Sequence, residues 1–184
     1  MVRPWLLSLL LPVLALADPV PVTVSGTGFE GADLAENAKA FLNRDYVWQE
    51  VTAQLRGWQF TRTKGGTHPL LAATPLRDGH LYLATAVHQG FGGDLTGWEL
   101  VKGWGFRYSA DKRPWLRVFR RAVKEGETLV LPQGAWTGSL LIAPQITVVQ
   151  SKVAAHAPVP GVVIDYRAAH TRSYIGCPSL AVLG

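Results

Sequence analysis

Trp58-Gln59-Phe60-Thr61-Arg62-Thr63 alternates large apolar with polar side chains, and the rest of the chain is read outward from it. A period of two places Trp58 and Phe60 on one face of a strand, with Gln59 and Thr61 on the other. Lys64-Gly65-Gly66-Thr67 then reads as a turn, and residues 70–74 form a second run ended by Pro75. Arg77-Asp78-Gly79-His80 predicts a tight hairpin, because Asp-Gly tolerates the positive φ that such turns need. Residues 81–87 follow as a strand, and residues 89–97 hold Gly90, Gly92, Gly93 and Gly97 and read as a loop. Further strands are expected at 98–102, 106–109, 115–123, 128–131 and 140–149, with turns at 110–114, 124–126 and 132–138. Strands at this spacing, separated by Gly, Pro and Asp turns, predict an all-β, antiparallel sandwich-like domain rather than βαβ units.

Upstream, residues 20–29 are rich in Pro, Gly and Thr and read as an extended lead-in. Leu34, Ala38, Phe41 and Leu42 fall at i, i+4, i+7 and i+8, which predicts a short helix within residues 32–43. Residues 47–55 fit either a strand or a helical turn. The first 17 residues read as a secretory signal: Arg3, then an apolar stretch from Leu6 to Leu16, then Ala15-Leu16-Ala17 as a small-x-small cleavage site. The stretch is short for a membrane span, so export with no stable span after cleavage is the expectation. The predicted location is secreted, periplasmic or at the cell envelope.

A chain of 184 residues minus that signal is long enough to bury a sizeable core. Hydrophobic residues make up 48% and charged residues 17%, which excludes an intrinsically disordered chain. Net charge is +5, or +4 without Arg3, a balance that favours acidic partners without naming one. Cys177 is the single cysteine, so neither an intrachain disulfide nor a multi-Cys zinc site is available. The expected layout is a domain over 18–150, a linker over 151–160 and a separate segment over 161–184. Oligomeric state is not legible.

The chemistry-bearing residues give no catalytic constellation. His68, His80, His88, His156 and His170 lack the helical i, i+4 pattern of a metalloprotease. No Gly-x-Ser-x-Gly elbow and no Walker loop occurs, and the aspartates fall mostly in turns, where Asp has a local structural role. The sequence calls for no catalytic residue, no metal and no cofactor. Six tryptophans follow the signal. Trp58 and Trp115 are expected in the core, whereas Trp136 lies in the turn Gln133-Gly134-Ala135-Trp136-Thr137-Gly138, where a ring is better placed for a ligand. Lys112, Arg113, Arg117, Arg120, Arg121 and Lys124 form a basic cluster. Arg117 and Arg121 share a strand face with Trp115 and Phe119, and Arg120 points to the other face. That face reads either as a solvated surface or as an anion site for an acidic glycan or carboxylate. The basic residues form no nucleic-acid reading module. The ligand-binding candidates are Trp136, Trp104, Arg117 and Arg121.

Asn43-Arg44-Asp45-Tyr46-Val47-Trp48, Leu55-Arg56-Gly57-Trp58-Gln59-Phe60-Thr61 and the stretch from Gly126 to Gly138 resemble a β-rich accessory domain of exported bacterial glycan-active proteins. Val163-Ile164-Asp165-Tyr166 with Tyr174-Ile175-Gly176-Cys177-Pro178-Ser179 resembles the first strand of a sialidase-like, BNR-repeat β-propeller. That resemblance implies a propeller cut short at its start, since one strand of a blade cannot bury its own faces. It also implies a parent in which an Arg clamps a substrate carboxylate at the position held here by Gly176. The family's Tyr nucleophile would lie in later blades. The reading is therefore a non-catalytic N-terminal region of an exported sialidase-like protein. Two alternatives remain: a stand-alone carbohydrate-binding module, and a cell-envelope structural or interaction domain.

Overall fold

The computed structural model describes residues 18–150 apart from 68, 87–92, 111–114 and 134–137. The signal, the linker and the propeller-like segment expected from sequence lie outside the described residues. Among the described residues there are twelve strands: β1 Val22–Gly26, β2 Phe29–Asp33, β3 Lys39–Phe41, β4 Arg44–Gln49, β5 Gln59–Thr63, β6 Leu71–Pro75, β7 Gly79–Thr85, β8 Glu99–Tyr108, β9 Leu116–Val123, β10 Leu129–Val130, β11 Ser139–Ala143 and β12 Ile146–Gln150. A single 3-10 turn, Ala53–Leu55, is the one helical element among the described residues.

The strands form a four-stranded sheet, β10-β6-β1-β12, and an eight-stranded sheet, β2-β5-β11-β7-β9-β8-β4-β3. Pairings between these strands are antiparallel except β1 with β12, which run parallel with Val22 opposite Ile146 and Gly26 opposite Gln150; Pro19 adds an isolated parallel bridge to His80. The larger sheet curls until β3 returns to β5. Leu42 N donates to Thr63 O at 2.9 Å, and Gly65 N donates to Asn43 Oδ1 at 2.8 Å.

Two cores result. Inside the curl, Trp48 is fully buried and meets Phe106, Phe60, Phe41 and Tyr108 at centroid distances of 4.8, 5.3, 5.9 and 6.3 Å. Between the sheets, Val22, Val24, Leu71 and Ala73 pack against Leu81, Leu141 and Ile146. All five residues of β11 are buried, because Leu140 and Ile142 face the first core while Leu141 and Ala143 face the second. Burial on both sides accounts for a continuous apolar run in place of alternation.

Four expectations are corrected. Residues 32–43 are not a helix: Ala32 pairs with Phe60, Lys39 pairs with Val47, and Asn37 turns the chain between them with φ 63°. The Glu36 carboxylate fixes that turn by accepting from Glu50 N at 2.8 Å and Val51 N at 3.1 Å. The apolar spacing of a helix thus came from two short strands and the turn joining them. Asp78-Gly79 makes no hairpin, because β6 belongs to the smaller sheet and β7 to the larger. It is a corner that carries the chain from one layer to the other. The long strand expected at 140–149 breaks at Pro144-Gln145 into β11 and β12, again in different sheets. Conversely, the runs at 98–102 and 106–109 belong to one strand, β8, with an irregularity between Leu100 and Gly105 where extra residues bulge out of the ladder.

Candidate functional site

Sheet register decides which candidate residues meet. In β9, Arg117 lies opposite Thr85, Phe119 opposite Leu83 and Arg121 opposite Leu81, whereas Arg120 lies opposite Tyr82. Cross-strand partners share a face. Arg117, Phe119 and Arg121 therefore point to the side on which the smaller sheet packs, and Arg120 to the side of the curled core.

The smaller sheet covers Leu81, Leu141 and Val123 at the end of β9, and among the described residues the stretch from Arg117 to Arg121 and Leu100 at the start of β8 are left more open. Leu83 is buried, its neighbour Phe119 is partly exposed, and Leu100 beyond it is 45% exposed. Trp115, just before β9, is 36% exposed and lies over Gly105, so it is not the core residue expected from sequence. The glycine makes this seat possible, since a β-carbon there would overlap Nε1 of Trp115. Trp115, Arg117, Phe119 and Arg121 thus form an outward ladder of alternating aromatic and guanidinium groups. Arg117 is exposed and has no hydrogen-bond or ion-pair partner among the described residues. Arg121 faces Glu127 across 4.0 Å, with both side chains more than a third exposed.

On the opposite face, Trp104 sits in the bulge of β8. It stacks on Tyr82 with centroids 5.6 Å apart and planes 16° apart, and meets Trp58 edge-on at 5.9 Å. All three pack against the curled core. Trp104 is therefore separated from Arg117 and Arg121 by the thickness of the sheet. Trp136 lies outside the described residues.

A cleft of about 500 Å³ that sequence reasoning did not find opens around Arg120. His80, Asp94, Glu99 and Arg120 line it, and Arg121 reaches its rim. Arg120 donates from Nε and Nη2 to Glu99 Oε2 at 3.3 and 3.2 Å. Partial burial, then the Arg120 charge, holds the His80 imidazole below its usual range. The hydroxyl and the backbone N–H of Thr96 hold the Asp94 carboxyl below the ordinary carboxylate range. Two carboxylates balance two guanidiniums here, and Arg120 is already committed to Glu99. The cleft offers no strong preference for either sign of ligand. The only sequence signal for it is Asp94-Leu95-Thr96-Gly97, a polar turn no different from others. Among the described residues, no group of three or more His, Cys, Asp or Glu could hold a metal ion. Among the same residues, no helix is long and apolar enough to cross a membrane.

No protein-family model matches the chain, and no curated protein matches it. Among solved structures it is similar to a β-glucuronidase from glycoside hydrolase family 2, with a TM-score of 0.52 and 15% sequence identity. The match covers 65% of this chain and 14% of the β-glucuronidase, so the chain spans a small part of that enzyme's length. At this identity the likeness is one of fold: an all-β sandwich that also occurs within a larger glycoside hydrolase chain.

Proposed function

We propose that residues 18–150 act as a non-catalytic, carbohydrate-binding region of an exported glycan-active protein. The observation that carries this reading is the ladder at β9, where two aromatic rings and two guanidiniums alternate on one partly exposed sheet face. Flat aromatic surfaces suit the apolar faces of sugar rings, and guanidinium groups suit their oxygens. The fold's occurrence within a glycoside hydrolase supports the same reading, as does the sequence resemblance to accessory domains of glycan-active proteins. Residues 1–17 would direct export, and residues 161–184 would begin a sialidase-like catalytic unit.

Affinity electrophoresis of the purified chain through gels containing a panel of neutral and acidic polysaccharides tests the proposal. At least one polymer should retard the protein, and Trp115→Ala should weaken the retardation under conditions where its melting curve shows the variant still folded. Free migration in every gel would reject the binding role. Hydrolysis of a fluorogenic sialoside by the same preparation would reject the non-catalytic one.

A second reading rests on the outer face of the smaller sheet. Val130, Ala72, Ser25 and Val149 form one cross-strand row, and Thr74, Thr23 and Thr147 form the next. Val130 is 63% exposed and Val149 47% exposed, with no charge between them. Such a face suits a protein partner at the cell envelope. Loss of a pulled-down partner on Val130→Lys, with polysaccharide binding intact, would favour it.

A further inference from the structure

We propose that the ladder on β9 selects an anionic polysaccharide, with Arg117 and Arg121 each taking a carboxylate while Trp115 and Phe119 support sugar rings between and beside them. This rests on the carbohydrate-binding reading and adds the chemical class of the ligand. The geometry is set by the strand. Alternate residues on one face recur about every 6.6 Å, which places the two guanidinium stems about 13 Å apart along β9. A polymer lying along the strand would meet ring, cation, ring, cation in that order.

Arginine suits this task because its planar fork can hold both oxygens of one carboxylate. Both cations are open to exchange. Arg117 has no partner among the described residues, and the 4.0 Å pair between Arg121 and Glu127 is a loose, solvent-exposed one that gives up little on replacement. Arg120, by contrast, is bound to Glu99 on the other face and takes no part.

The same ladder fits a nucleic acid or a membrane poorly. Duplex binding commonly draws on about 6–10 phosphate contacts, and recognition of anionic lipid on about 4–8 clustered basic residues. Two cations with Glu127 beside one of them match a sparser line of charge.

Affinity electrophoresis of the full chain in polygalacturonate, in its fully methyl-esterified form and in a neutral glucan tests the assignment, with melting temperatures recorded for every variant. Polygalacturonate should bind about tenfold more tightly than the ester, with the difference shrinking as salt rises. Arg117→Gln and Arg121→Gln should each weaken polygalacturonate binding about tenfold and leave the ester unaffected. Arg117→Lys keeps the charge without the fork and should fall between; it also serves if the Gln variant melts early. Trp115→Ala should weaken both polymers alike. Equal affinity for acid and ester, or wild-type affinity in the arginine variants, would overturn the anionic preference while leaving a carbohydrate-binding role standing. Retention by none of the polymers would remove both. Tighter binding to a single-stranded oligonucleotide or to anionic vesicles would also overturn the assignment.

Discussion

Trp115 places its indole nitrogen over Gly105, in the space that any other residue's β-carbon would fill. Gly105 is itself held from behind: Thr52 N donates to its carbonyl at 3.2 Å, and its own N–H donates to Thr52 Oγ1 at 3.4 Å. The ring and the glycine thus belong to one local arrangement joining β8, β9 and the segment after β4. Alanine at 105 would overlap Trp115 and the Leu116 carbonyl oxygen together. Backbone on one side leaves no easy escape, so Gly105→Ala should cost about 3 kcal/mol. Urea unfolding measures this, and an unchanged midpoint would refute the packing described.

Trp48 is the largest fully buried side chain among the described residues and packs at the centre of the aromatic contacts in the curled core. Trp48→Ala should cost about 3–5 kcal/mol, as for other large-to-small changes of a buried aromatic ring. Its Nε1 is buried and has no hydrogen-bond partner among the described residues. Trp48→Phe therefore loses ring volume but also removes a buried unpaired donor, and should cost only about 1–2 kcal/mol. Denaturant curves of the two variants against wild type give the comparison; a Phe variant as damaged as the Ala variant would contradict it.

The corner between the sheets is tied by Asp78. Its Oδ2 accepts from Lys124 Nζ at 2.7 Å, and its Oδ1 accepts from Glu125 N at 2.9 Å. The Lys124 hydrogen bond, then the backbone one, holds the Asp78 carboxyl below the usual carboxylate range. A depressed folded-state pKa gives stability that is present above the unfolded value of 3.8 and is lost as pH falls through the folded value. Asp78→Asn should melt below wild type at neutral pH, and the two curves should converge in acid. A gap that persists at the lowest pH would point to a cause other than this carboxylate.

His80 adds a second, higher slope. Burial, then Arg120, depresses its folded-state pKa from 6.5, so the unfolded chain binds the proton more readily. Stability should therefore fall as pH drops below about 6.5, until the folded imidazole also titrates. His80→Gln should flatten the melting temperature between about pH 7 and 5, where wild type declines. Parallel declines in both proteins would exclude His80 as the source.

Strand periodicity carried much of this architecture. Residues 58–63 and 115–123 predict strands that the structure shows as β5 and β9, and the faces assigned to Arg117, Arg120 and Arg121 follow from a period of two. Layer assignment was not legible, for a physical reason. Asp78-Gly79 and Pro144-Gln145 specify a reversal, but which sheet the next strand joins depends on partners more than 40 residues away, such as β11 for β7 and β1 for β12. The false helix over 32–43 has a related origin, since Leu34 and Phe41 are buried by β-pairing at either side of a left-handed Asn37. The exposure of Trp115 was hidden for the same reason. It turns on how far across β9 the smaller sheet extends, and no local pattern encodes that.

The parallel pairing of β1 with β12 bears on the order of events during synthesis. Val22–Gly26 leaves the ribosome early, yet one of its edges stays open until Ile146–Gln150 emerges more than a hundred residues later. Such distant pairing is slow to form and leaves a sticky edge in the interval. A nascent chain stalled anywhere before Ile146 would carry that bare edge into a crowded cell, so completion of the smaller sheet waits on β12.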